Sequence, residues 1–176
     1  MQRSEQRQAG AGFSLPELLV AVTVLGLLAA LALDGGQRSL ARMRVETATR
    51  RLGWGLEQAR QQAQNLGEPC ALELGPSGWR EPSGGMLPGC GGAVADGAAP
   101  QETSGVTLQH NLPAALRFSS NGLVLDGGTV VVSAPGTDLR RCLVMSLPLG
   151  VVRLGRYAGA PGAAPSSSAC RAEEAL

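Results

Sequence analysis

Residues 13–33, FSLPELLVAVTVLGLLAALAL, hold sixteen apolar residues among 21 and a single charge, Glu17. A helix of this length, at about 1.5 Å per residue, spans roughly 31 Å, which matches the hydrocarbon core of a bilayer. The whole chain of 176 residues is 44% hydrophobic with a net charge of +1, and its mean hydropathy of +0.06 conceals this one strongly apolar run. Ahead of the run lies a short polar leader, residues 1–12, with Arg3 and Arg7 set against Glu5. Positive residues before a span favour an N-terminus facing the cytoplasm, so everything after Leu33 is expected on the periplasmic or outer side.

Two targeting schemes fit a charged leader followed by an apolar run. One is a secretory signal peptide, with Ala30-Leu31-Ala32 as its small-residue cleavage site. The other cuts before the apolar run, on the cytoplasmic side, and leaves that run on the mature protein. Glu17 separates them, because a carboxylate at the head of a membrane span costs a few kcal/mol on insertion scales and needs a reason. Helix capping is one such reason: Ser14-Leu15-Pro16-Glu17 reads as S-x-x-E with proline in the first turn. A second reason comes from resemblance. Gly12-Phe13-Ser14-Leu15-Pro16-Glu17-Leu18-Leu19-Val20 resembles the processing site of type IV pilins and type II secretion pseudopilins. The resemblance implies cleavage after Gly12 by a prepilin peptidase, with methylation of the new N-terminal residue, Phe13. Glu17 is then the fifth residue of the mature chain and pairs with the free amine of a neighbouring subunit during assembly, which offsets its cost in lipid. Pro16 departs from the isoleucine more frequent in that family, but proline in a first helical turn forfeits no backbone hydrogen bond.

Downstream, Asp34-Gly35-Gly36 reads as a flexible break. From Gln37 to Leu66 there is no proline, and Leu40, Met43, Ala48, Leu52, Leu56, Ala59, Ala63 and Leu66 recur at helical spacing. This predicts an amphipathic helix with a narrow apolar stripe. Arg38, Arg42, Arg44, Arg50, Arg51 and Arg60 lie on its polar faces, most simply as a solvated surface. Gly53 and Gly55, flanking Trp54, weaken the helix by about 1 kcal/mol each and suggest a kink. Past Gly67 the period shortens, and strands are expected at Cys70–Leu74, Val106–His110, Ala115–Ser119, Leu123–Asp126, Thr129–Ser133, Arg141–Leu147 and Val151–Leu154. Asn121-Gly122 is a hairpin signal. A two-residue turn there sets Ser120 opposite Leu123 and Arg117 opposite Asp126. Leu147-Pro148-Leu149-Gly150 reads as a second turn, which places Arg141 opposite Arg156. Residues 75–105 read as a long loop, and residues 158–176 as a low-complexity tail, mobile except at Cys170.

The second half carries a further resemblance. Arg117-Phe118-Ser119-Ser120-Asn121-Gly122, Val130-Val131-Val132, Arg141-Cys142-Leu143-Val144-Met145-Ser146 and Gly150-Val151-Val152-Arg153 resemble minor pseudopilins of the GspH/FimT type. That type often ends its sheet with G-R-V-R; here Val151 replaces the first arginine, and Arg153 keeps its register with Arg156 three residues later. The fold implied is α+β and pilin-like, a long N-terminal helix packed on a small antiparallel β-sheet head. Five segments follow: leader 1–12, transmembrane half-helix 13–33, amphipathic half-helix 34–66, β head 67–157 and tail 158–176. The resemblance also implies the partners: other pilin or pseudopilin subunits, the prepilin peptidase and an inner-membrane assembly platform. It implies single-pass anchoring in the inner membrane with a periplasmic head, followed by incorporation into a pilus or pseudopilus.

Composition removes several other functions. All fifteen basic residues are arginine, which excludes a Walker-A lysine and lysine Schiff-base chemistry. Five aromatic residues, Phe13, Trp54, Trp79, Phe118 and Tyr157, are too few for a base-stacking platform. Cys70, Cys90, Cys142 and Cys170 form no C-x-x-C pair, and the single histidine, His110, falls in a strand pattern. Neither a zinc site nor any other metal or cofactor is expected, and no nucleophile motif marks an enzyme. An even cysteine count beyond the membrane favours disulfides. Of three possible connectivities, Cys70–Cys90 and Cys142–Cys170 each tie a strand to a nearby glycine-rich segment. By segment the charge is +3 over residues 34–66, −4 over 67–116 and +3 over 117–157. Arg140, Arg141, Arg153 and Arg156 concentrate the last of these. They face solvent, or an acidic neighbouring subunit, or DNA phosphates, as in DNA-uptake pili.

Overall fold

The computed structural model describes residues 13–84, 86–91, 105–147 and 150–172, without the side chains of residues 30–35. The leader with Gly12, Gly85, residues 92–104, Pro148, Leu149 and the last four residues lie outside the described residues. Among the described residues one α-helix, α1 (Leu15–Leu66), precedes eight short strands. The glycine pair at Gly35-Gly36 does not terminate α1, contrary to the expected break, because two glycines cost a helix only about 2 kcal/mol against the propagation of the residues around them. The chain nevertheless divides into two compact units, Met1–Gln37 and Arg38–Leu176.

In the first unit the apolar side chains from Phe13 to Leu28 are exposed, Phe13 at 80% and Leu15 at 75%. Among the described residues no helix is long and apolar enough to cross a membrane; residues 30–33 of the expected span are among those whose side chains are not described.

The second unit holds the sheet and the C-terminal part of α1. A three-stranded antiparallel sheet runs β2-β1-β4, from β1 (Cys70–Gly75), β2 (Gly78–Arg80) and β4 (Leu116–Phe118). A five-stranded antiparallel sheet runs β3-β5-β6-β7-β8, from β3 (Thr107–His110), β5 (Gly128–Ser133), β6 (Arg141–Ser146), β7 (Val151–Tyr157) and β8 (Cys170–Ala172). Strand side chains alternate between faces. Val130, Val132, Leu143 and Met145 therefore join Val45, Leu52 and Leu56 of α1 in one core. Val131, Cys142, Val144, Tyr157 and Cys170 form a smaller one on the outer face.

The helix buries a stripe rotated from the expected one. Ala41, Val45, Ala48, Thr49, Leu52, Leu56, Ala59 and Ala63 are buried, whereas Leu40, Met43 and Leu66 are exposed. Small residues let the sheet approach closely, and Thr49 is accommodated because its hydroxyl donates to the Val45 carbonyl at 2.8 Å. Gly55 lies in the same contact. A β-carbon there would stand 2.6 Å from Trp79 Cδ1, and the Trp79 indole N–H donates to the Leu52 carbonyl at 2.8 Å. The glycine gives room to the tryptophan of β2, a strand inside the segment expected to be loop.

Three further differences have local causes. The Asn121-Gly122 hairpin closes with three residues, since Ser119 N–H donates to Leu123 O at 2.9 Å and Leu125 N–H to Arg117 O at 3.0 Å. A two-residue type I′ turn needs positive φ at both central residues. Only Gly122 has it, at φ 71°. The expected strand Leu123–Asp126 is correspondingly reduced to a bridge between Val124 and Phe118. Residues 86–90 return beside β1, where Ala71 N–H donates to Pro88 O at 2.9 Å and Cys90 N–H to Ala71 O at 3.2 Å. Finally, the tail forms a 3-10 turn, Ser167–Ala169, and then β8, in which Tyr157 pairs with Cys170 and Arg156 with Arg171.

Candidate assembly and anion-binding sites

The first turn of α1 begins at Ser14, whose carbonyl accepts from Leu18 N–H at 3.1 Å. Glu17 Oε2 lies 3.5 Å from both the Ser14 N–H and the Ser14 hydroxyl. These are capping-box contacts at the outer limit of hydrogen bonding, so capping leaves most of the carboxylate's capacity unused. Phe13 is exposed beside it.

The four C-terminal arginines do not form one patch. Arg141 is 6% exposed and faces α1, where its guanidinium meets Glu46 at 3.1 Å. The register sets Arg141 opposite Arg156, as two antiparallel strands joined at residues 147–150 require. The acidic group that offsets this like-charge juxtaposition thus comes from the chain's own helix. Arg140 stacks on the Tyr157 ring at 5.3 Å and donates to Gly159 O, tying the tail to the sheet. Arg153 lies opposite Val144 on the outer face, away from Arg156. Burial, tail attachment and strand alternation therefore disperse the set of Arg140, Arg141, Arg153 and Arg156 that proximity in sequence had grouped.

Disulfides join Cys70 to Cys90 and Cys142 to Cys170, with Cα separations of 5.2 and 5.8 Å. The first fixes residues 86–90 to β1, and the second fixes β8 and the tail to β6. His110 is exposed on edge strand β3. Among the described residues no cluster of metal-ligating side chains occurs. Two ion pairs brace the loops. The Arg117 guanidinium holds Asp126 in two hydrogen bonds of 2.8 and 2.9 Å, which lowers the Asp126 pKa. Glu73 accepts from Ser83 N–H at 2.9 Å and from Arg80 and the Ser83 hydroxyl, and its pKa falls to about 2. These pairs hold turns in place and address no ligand. Sequence reading did not find Glu46, Trp79 or the strand character of the tail, because each acts through a tertiary partner rather than a local pattern.

Comparison with protein families places both ends of this architecture. Residues 7–33 match the prokaryotic N-terminal methylation motif, and residues 48–148 match the family described as type II transport protein GspH. No curated protein and no solved structure matches the chain. The second match covers 101 of 176 residues (148 − 48 + 1), from the buried stripe of α1 to the end of β6. A methylation motif, a helix laid on an antiparallel head and the GspH match converge on one assignment: the chain belongs to the GspH family and is a minor pilin or pseudopilin, a structural subunit of a type IV pilus or type II secretion system.

Proposed function

We propose that the chain is made as a prepilin, cut after Gly12, methylated at Phe13, anchored in the inner membrane by residues 13–33 with its head in the periplasm, and then drawn into a pilus-like filament. The observation that carries this reading is the exposed apolar face of α1 from Phe13 to Leu28, interrupted by one carboxylate. An uncovered apolar surface of this extent needs lipid or a neighbouring helix against it. In either setting Glu17 needs a positive partner, and the free amine of Phe13 on a neighbouring subunit supplies one after cleavage. The prepilin peptidase, an inner-membrane assembly platform and other pilin or pseudopilin subunits are the partners this sequence of events requires.

N-terminal mass spectrometry of the membrane fraction tests it. The expected product begins at Phe13 and carries one methyl group on its amine. A mature chain beginning at Leu33 would instead identify a secretory signal peptide and remove the filament reading.

A further inference from the structure

A cleft of ≈ 530 Å³ lies on the outer face of the five-stranded sheet, lined by Asn111, Thr129, Val144, Arg153, Ser166 and Ser167 among others. Its floor is a row across three strands, since Thr129 pairs with Val144 and Val144 with Arg153. Its wall is the tail, held by the Cys142–Cys170 disulfide, by Asn111 Nδ2 donating to Pro165 O at 3.1 Å, and by Ser166 N–H donating to the Tyr157 hydroxyl at 3.3 Å. The Asn111 side chain is fixed in turn by accepting from Thr129 N–H at 2.6 Å. Floor and wall are therefore preorganised, as a binding site requires.

Four polar side chains lining this cleft lack a partner among the described residues: Ser146, Ser167 and, on its floor, Arg153 and Thr129. Arg153 is exposed and makes no ion pair, and no acidic side chain lines the cleft. Thr129 is 1% exposed and its hydroxyl is not among the sealed, unsatisfied polar atoms of the described residues, so it remains open to the cleft. A hydroxyl open to the cleft is free to donate to a bound group, and valine of nearly the same shape would remove that donor. We propose that the cleft binds a carboxylate carried by a partner polypeptide, with the Arg153 guanidinium gripping it and the Thr129 hydroxyl donating to it. The planar guanidinium fork matches a carboxylate. One cation in the cleft balances one negative charge. Nucleic acid, by contrast, requires several phosphate contacts at once, and Arg156 lies on the opposite face of the sheet. This site needs no filament, so it stands or falls apart from the assembly reading.

Titration of the isotope-labelled full chain in detergent micelles, followed by NMR, tests the proposal. Acetyl-glutamyl-amide presents a side-chain carboxylate, acetyl-Ala-Ala a terminal one, and acetyl-glutaminyl-amide neither. Saturable shifts at Thr129, Val144 and Arg153 are expected with a carboxylate probe and not with the glutaminyl one; the tighter of the first two identifies the source. Arg153→Gln should weaken binding at least 10-fold and Arg156→Gln should leave it unchanged. Thr129→Val should weaken it several-fold while leaving the thermal midpoint unchanged, a combination that a purely structural threonine does not give. No saturable shift with either carboxylate, or an equal loss in Arg156→Gln, would overturn the proposal.

Discussion

Gly53 and Gly55 lie two residues apart in α1 and serve different ends. A β-carbon at Gly53 would meet Leu154 Cδ2 at 3.7 Å, an ordinary contact, whereas at Gly55 it would stand 2.6 Å from Trp79 Cδ1. Helix propensity alone favours alanine over glycine by about 1 kcal/mol at either position. At Gly55 that gain is opposed by overpacking, typically about 1–3 kcal/mol. The indole has little room to retreat, because it is 4% exposed and bonded to the Leu52 carbonyl. Gly53→Ala is therefore expected to stabilise the head by about 1 kcal/mol, and Gly55→Ala to destabilise it by about 1 kcal/mol or more. Urea unfolding of the two variants checks the signs, and a stabilised Gly55→Ala would show that the Trp79 contact is soft.

Strand β8 has only three residues, and its place depends on what surrounds it. Gly155 meets it so closely that a β-carbon there would lie 2.1 Å from Arg171 O, and Cys170 is bonded to Cys142 across 28 residues. On the chain-entropy model a loop of that length contributes about 3–4 kcal/mol. The double variant Cys142→Ser, Cys170→Ser should lose about that much stability. It should also exchange the Ala158 amide, which donates to Ala169 O at 2.9 Å, much faster than the oxidised chain. Unchanged exchange would mean that Arg140 and Tyr157 hold the tail unaided. This dependence also explains what could be read in advance. Strands β5 and β6 announce themselves through Val130-Val131-Val132 and Cys142-Leu143-Val144-Met145, runs buried on both faces. Strands β2 and β8 sit in glycine- and alanine-rich segments with no alternation to detect, and exist through Trp79 and Cys170. At the N-terminus the glycine, the aromatic and the glutamate in fixed register needed no tertiary information. The arginine set did: alternation separated Arg153 from Arg156, but only the fold reveals Glu46 beneath Arg141.

Helix α1 carries apolar residues on two sides in the unit that contains the head. At about 100° per residue, Leu40, Met43 and Trp54 fall within an arc of roughly 60°, on the side away from the stripe of Val45, Leu52 and Leu56. They are 54%, 61% and 53% exposed, and this second side is why the sequence pattern placed Leu40 and Met43 in the core. A single exposed leucine needs no explanation, but a tryptophan and a methionine aligned on one helix face suit the centre of a protein contact. A neighbouring filament subunit covering that face would separate assembly from stability. Trp54→Ala removes an exposed side chain and is expected to shift head stability by no more than about 0.5 kcal/mol. The same variant should lower the share of the protein recovered in sheared filaments several-fold against the wild type. Recovery at the wild-type level would assign the face to solvent. A fall in the thermal midpoint of several degrees would instead place Trp54 in the packing of the head itself.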